Sequence, residues 1–222
     1  MRAKFYLLCY NMLEKGALEM IRQLTIDDTQ QFCDLIVDMY SHLENLEWFT
    51  PMPYDFATVK SMLENSRFFI IGYFIDDVLC GVCSFDYKCG KLIGKVDFPA
   101  DCNTDKLVEI GFTMVHSAYK GNGIMKKMVA YLLDKGKTDG FEWVFSKVHK
   151  DNFASSKSLI YNGFEKFSNY HKSVDLDDFK YLSSQPFFSP CGKQNAQITL
   201  SNLKSDDKEI WVDYDLIIKK LI

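Results

Sequence analysis

Apolar positions along the chain recur at two different periods, and the changes of period mark out its elements. MIRQLTIDD (20–28) alternates Ile21, Leu24 and Ile26 loosely and predicts a first strand. Asp28 or Thr29 can cap a helix over 29–45, in which Phe32, Leu35, Ile36, Met39 and Leu43 fall at helical spacing. Pro51-Met52-Pro53 interrupts with a loop, and Phe56, Val59, Met62 and Leu63 predict a shorter helix over 55–65. RFFIIGYFI (67–75) and VLCGVCSFDYK (78–88) read as two strands closed by a tight turn at Asp76-Asp77, an antiparallel hairpin. Residues 89–105 carry Gly, Pro, Asp and Asn turn signals without a clear period, and LVEIGFTMV (107–115) is a strongly apolar strand.

The second half is more sharply patterned. Ile124, Met125, Met128, Val129, Leu132 and Leu133 form one helical face, with Lys126, Lys127 and Asp134 on the wet side. Gly136 and Gly140 can both end that helix. WVFSKV (143–148) is a buried strand, Asp151 or Asn152 caps a short helix over 153–162, and Gly163 stops it. Two further strands lie at GFEKFSNYHKS (163–173) and IWVDYDLII (210–218). Between them, 174–208 is rich in Ser, Gln, Lys and Pro, and AQITLSNL within it has strand character. Loops of that length are uncommon unless functional or partly structured. No solenoid repeat is present, and the order of elements implies an α/β (α+β) arrangement on a mixed sheet.

Residues 1–19 read as an N-terminal extension and 20–222 as a single domain with a long insertion at 174–208. Arg2 and Lys4 before FYLLCYNML faintly suggest a secretory signal, but Asn11 interrupts the run and EKGALE offers no small-residue cleavage site. No stretch reaches the roughly 20 apolar residues of a membrane span.

Composition narrows the function classes. With 47% hydrophobic residues in 222, the chain can bury a sizeable core. A net charge of −4 argues against a nucleic-acid partner, though not against a local basic patch for a phosphorylated ligand. The seven cysteines are odd in number and scattered through apolar stretches, which fits reduced thiols in a cytoplasmic protein. Cys80 and Cys83 form a C-x-x-C, but on a regular strand residues three apart point to opposite faces, and no second pair lies nearby. They read as structural, and no metal is expected. Among the histidines, His116 follows strand 107–115 and could lie near an acceptor, while His42, His149 and His171 have no metal spacing; all four are assigned surface or supporting positions.

Tyr119-Lys120-Gly121-Asn122-Gly123-Ile124-Met125 lies where a strand gives way to a helix. Helix starts present unpaired N–H groups and a partial positive charge, which attract phosphate. Gly121 and Gly123 let backbone approach an anion, and Lys120 adds a full charge. A Walker loop would need Gly-Lys-Ser/Thr here, and a dinucleotide motif would need glycine at 126, where Lys126 stands.

KGNGIM instead resembles the [Q/R]-x-x-G-x-[G/A] loop of the GNAT acetyltransferase superfamily, with Lys for Arg and Met125 in the last small position. Asn152-Phe153-Ala154-Ser155-Ser156, with Leu159 and Gly163-Phe164, resembles the family's N-x-A-S…G-F helix. Glu109-Ile110-Gly111-Phe112 is similar to the E-I-G-[YF] strand of its ribosomal-protein acetyltransferase branch. The resemblance covers roughly 20–173 and is strongest over 107–166.

The resemblance implies a mostly antiparallel sheet of about six or seven strands flanked by about four helices, with the fourth and fifth strands splayed. It implies acetyl-CoA as co-substrate, its pyrophosphate held by amides of Lys120, Gly121, Asn122, Gly123, Ile124 and Met125. The pantetheine arm would lie along the strand edge near Met114 and Val115, and Asn152 and Ser155 would face the arm or the pyrophosphate. The acceptor would be a small-molecule or peptide amine, attacking the thioester directly. Glu109 is the candidate base, because burial on an apolar strand raises a carboxyl pKa; otherwise it is simply a carboxylate at an exposed strand start. Many members use a tyrosine seven residues after the Asn as the acid; here that position is Leu159, so Ser155 or Ser156 substitutes or the thiolate leaves unaided. Helix 29–45, the loop 46–54 with Trp48 and Phe49, and 174–208 would frame the acceptor. The sheet edge beside the last strand could form a homodimer. A weakly catalytic CoA-binding module and a transferase for another acyl-CoA remain as alternatives.

Overall fold

The computed structural model describes residues 18–43, 45, 48, 49, 52, 54–88, 95–175 and 209–221. The strands are β1 (Glu19–Gln23), β2 (Phe68–Ile75), β3 (Val78–Asp86), β4 (Leu107–Val115), β5 (Trp143–His149), β6 (Glu165–Asp175) and β7 (Glu209–Lys220). The helices are α1 (Thr29–Ser41), α2 (Phe56–Glu64), α3 (Ile124–Thr138) and α4 (Phe153–Tyr161). The strands form one sheet in the order β1-β2-β3-β4-β5-β7-β6. Every neighbouring pair is antiparallel except β4 and β5, which run parallel.

Local chemistry accounts for the connections. Asp76 and Asp77 both take positive φ (46° and 65°), the left-handed geometry that matches a two-residue turn to strand twist. A parallel pair needs a crossover, which α3 supplies between β4 and β5. The first strand is shorter than 20–28 because the Asp28 carboxylate turns the chain out of the sheet. It accepts the Thr25 N–H at 2.8 Å and both Arg22 guanidinium nitrogens at 2.7 Å. The helix expected over 29–45 ends at Ser41, where His42 leaves helical geometry at φ −123°, although Leu43 remains in the core.

Gly136 does not end α3 but lies inside it. A Cβ there would sit 3.0 Å from Leu221 Cδ1 and 3.4 Å from Phe85 Cζ, so the glycine permits close packing. Gly140, at φ +83°, turns the chain instead. The segments 1–17, 89–94 and 176–208, including AQITLSNL, lie outside the described residues.

Two apolar layers sandwich the sheet. On one face Phe32, Leu35, Ile36, Met39 and Val59 from α1 and α2 pack on Ile70, Phe74, Leu79, Val82 and Met114. On the other, Ile124, Met128, Val129, Leu132 and Leu159 from α3 and α4 cover Ile71, Tyr73, Phe85, Val108 and Ile110. Trp48 and Phe49 pack against the first layer.

Cys80 and Cys83 correct the expectation of opposite faces. Both are fully buried in the layer under α3. The β2–β3 register shifts between Tyr73 and Phe74, so β3 carries one extra residue, and that bulge reverses the side-chain alternation. Burial pushes the Cys83 thiol up to about 12, which keeps it protonated and unreactive. No helix among the described residues is long and apolar enough to cross a membrane.

Candidate functional site

β4 and β5 pair only where 107–110 meets 143–146. Beyond that point β5 continues to pair with β7 as far as His149, while β4 continues along β3 to Val115. The two central strands therefore fork, and among the described residues nothing pairs with the β4 edge from Gly111 to Val115. Five residues at about 3.3 Å each make that edge roughly 16 Å long. Ser146 Oγ donates to the Ile110 carbonyl at 3.0 Å and closes the vertex.

A bulge sits just inside the fork. Cys83 pairs with Thr113 but Phe85 with Ile110, so β4 has one residue too many, and Gly111 and Phe112 have no register partner on either side. Phe112 and Met114 consequently face α1, while Thr113 turns its hydroxyl to Cys83 Sγ at 3.2 Å on the opposite face. Gly111 leaves room here, because a Cβ would lie 2.8 Å from Ser84 Oγ and that hydroxyl would have to shift. That hydroxyl is buried and has no hydrogen-bond partner among the described residues.

At the open end of the fork the chain makes a short 3₁₀ turn, Ser117–Tyr119, and then enters α3. Gly121 and Gly123 hold φ +87° and +72°, and an added Cβ at either would meet nothing within 4 Å among the described residues. Gly123 is the N-cap, so α3 has no side-chain cap, and its first intrahelical bond runs from Lys127 N–H to the Gly123 carbonyl. Helix geometry leaves the amides before Lys127 without intrahelical acceptors. Asn122 turns its side chain back onto the Tyr119 carbonyl at 3.1 Å, away from those amides. Lys120 is exposed beside them, and Met125 is half-buried against the core.

Glu109 is the third residue of β4 and only 7% exposed, so it is not a carboxylate at an open strand start. Its neighbours Val108 and Ile110 belong to the α3 layer, so alternation turns Glu109 to the α1 face, two residues before the bulge. Burial raises its pKa above the usual glutamate range, the nearby Lys147 cation partly opposes this, and the Asp86 carboxylate adds to it. Lys147 Nζ lies 2.8 Å from Glu109 Oε1, while Asp86 is held by the Arg67 guanidinium through Nε at 2.9 Å.

This geometry belongs with known sequences and structures. The domain description "Acetyltransferase (GNAT) domain" matches residues 20–165. The chain belongs to the GNAT acetyltransferase family. A search of curated protein sequences gave no match. The fold superimposes on a putative acetyltransferase, yncA, from Salmonella typhimurium, solved with its cofactor acetyl-CoA: TM-score 0.60, 15% identity, 92% of this chain and 94% of that one. It is similarly close to a ribosomal-protein-alanine N-acetyltransferase from Brucella melitensis (TM-score 0.60, 16%, 90% and 99%). A ribosomal-protein-S5-alanine acetyltransferase from Vibrio fischeri gives a TM-score of 0.60 at 15% identity over 93% and 97%. At such identities these neighbours show the fold alone.

Within this GNAT domain the remaining site residues divide by what they touch. Asn152 Oδ1 accepts the Ser155 N–H at 3.2 Å and caps α4. Ser156 Oγ is bonded back to the Asn152 carbonyl, whereas the Ser155 hydroxyl has no partner among the described residues. Leu159 is 1% exposed in the α3 layer and is therefore a core residue. Tyr161 is exposed, its ring covered by Lys126 Nζ at 4.1 Å.

Among the histidines His149 is not at the surface. It is buried edge-on against Tyr214, and its Nδ1 accepts the Asp151 N–H. His116 caps the 3₁₀ turn and lies 3.6 Å from Asp38 of α1, which also accepts the Ser117 N–H and hydroxyl. Asp38 thereby ties α1 to the start of the glycine loop.

Lys147, Ser146, Ser84 and the bulge at Gly111 escaped the sequence reading. A parallel register between 107–110 and 143–146 would have put Lys147 next to Glu109, but side-chain alternation alone does not supply a register.

Proposed function

We propose that this GNAT domain transfers the acetyl group of acetyl-CoA to a primary amine by direct attack. The observation that supports this most is the fork between β4 and β5 leading to an uncapped, glycine-built helix start. The amides of 120–125 would take the pyrophosphate, with the α3 dipole and Lys120 adding positive potential. The pantetheine arm would run back along the free β4 edge past Val115 and Met114, as an added strand does. That direction leads the thioester to the vertex, where Glu109 and the bulge stand.

In the reaction Glu109 accepts a proton from the incoming ammonium, and the freed nitrogen lone pair attacks the thioester carbonyl. The carbonyl oxygen gains negative charge, and a backbone N–H of the bulge at Gly111 or Phe112, where the register is interrupted, would stabilise it. The C–S bond then breaks and CoA leaves as a thiolate. Leu159 offers no proton, so the thiolate leaves unaided or takes a proton from Ser155. Acceptors would approach over the α1 face, bounded by Trp48, Phe49 and Phe112.

Two observations favour a second reading, a CoA-binding module of low activity: the core leucine at 159 and the occupation of Glu109 by Lys147. Thiol release from acetyl-CoA over a panel of primary amines separates the two. The transferase reading expects amine-dependent release. Acetyl-CoA binding with no acceleration by any amine would favour the module, and release confined to succinyl-CoA or longer acyl-CoAs would change the donor.

A further inference from the structure

We propose that Lys147 is itself an acyl acceptor, so that the chain acetylates its own ε-amino group at the vertex of the fork. The inference rests on the transferase reading above. Lys147 is the first β5 residue beyond the last β4–β5 pair, and β5 stays anchored there through its pairing with Leu216 of β7. Its amine is therefore delivered by a rigid strand to the place where the thioester arm ends. Lys147 Nζ is already 2.8 Å from Glu109 Oε1, the contact that an external amine would need with its base.

The other ion-paired lysines lie elsewhere. Lys135, paired with Asp139 at the far end of α3, is as covered as Lys147 (31% against 30% side-chain exposure), whereas Lys106 with Glu142, Lys127 with Glu19, Lys150 with Asp213, Lys166 with Asp215 and Lys220 with Asp101 are each 40–52% exposed. Random chemical acetylation would favour those more open amines, whereas delivery in the site would favour Lys147.

The step balances without a further reactant. Glu109 takes one proton from the Lys147 ammonium, the amine attacks the acetyl carbonyl, and the C–S bond breaks. The products are Nε-acetyl-Lys147, the CoA thiol and one released proton. Acetylation removes the lysine charge and with it the ion pair that holds Glu109, leaving the carboxylate free for other amines.

The test incubates the full chain with acetyl-CoA and maps modified lysines by peptide mass spectrometry over time. Lys147 is expected to gain an acetyl group about tenfold or more faster than Lys150 or the exposed Lys157, at a per-chain rate independent of protein concentration. Glu109→Gln should slow this modification. Lys147→Arg, which keeps the charge, should keep its thermal midpoint and acetyl-CoA affinity and show no compensating site. The inference is overturned if acetyl-CoA binds but Lys147 remains a free amine, or if the exposed lysines react as fast. Acceleration of thiol release by added amines with Lys147 unmodified sinks this inference alone. Absence of acetyl-CoA binding would sink the transferase reading with it.

Discussion

Turnover of an amine acceptor is expected to fall by roughly 10²–10⁴-fold in Glu109→Gln, the range associated with loss of a positioned general base. Glutamine keeps the shape and much of the hydrogen bonding of the side chain but cannot accept a proton as a carboxylate does. Acetyl-CoA affinity should change little, because Glu109 lies at the vertex, away from the glycine loop.

The pH profile makes the same point independently. The reactive form of Glu109 is the carboxylate, and burial favours the neutral acid, so its pKa lies above the ordinary glutamate value. The acid limb of kcat/KM should therefore lie higher in pH than an exposed glutamate would give, with activity lost as pH falls through it. Glu109→Gln should erase that limb. The same shift links to folding with a definite sign. The folded state holds this proton more tightly than the unfolded chain, so the contribution of Glu109 to stability is full at low pH and lost as pH rises through the raised pKa. An acid limb unchanged in Glu109→Gln would remove Glu109 from the mechanism.

Gly121→Val is expected to weaken acetyl-CoA binding by about 10–100-fold, corresponding to one or two charge-assisted hydrogen bonds at the pyrophosphate. Among the described residues nothing crowds a Cβ at this position, so steric conflict with them is not the cause. Two effects remain: a branched side chain standing where the anion must approach, and strain of about 1–2 kcal/mol from φ +87°. Gly121→Ala separates them, since alanine carries most of the backbone strain with far less bulk. Calorimetric titration with CoA should give wild type tighter than alanine and alanine tighter than valine. Equal, intact affinity in all three would place the pyrophosphate elsewhere.

The sequence was legible where one face of an element is buried. β4 was readable end to end from its nearly continuous apolar run, and α3 because its apolar stripe is sustained from Ile124 to Leu133. The Asp76-Asp77 turn was readable from its length between two apolar runs. The hidden features depend on backbone offsets and on strand register, neither of which leaves a mark in composition. One extra residue at Cys80 reversed the expected facing of a C-x-x-C. Another at Gly111 left two residues without strand partners at the centre of the site. The Glu109–Lys147 pair joins positions far apart in sequence through a parallel register of four residue pairs. Asn152 shows a different difficulty: a helix cap and a ligand contact require the same residue, and here its oxygen serves the cap.

The fork and the glycine loop together are tested most directly by a crystal structure of the chain grown with CoA. The account predicts pyrophosphate oxygens within hydrogen-bonding distance of amides between Lys120 and Met125, with the pantetheine arm paired to the β4 edge between Gly111 and Val115. A structure with CoA bound elsewhere, or with β4 and β5 paired continuously past Ile110 and Ser146, would contradict it.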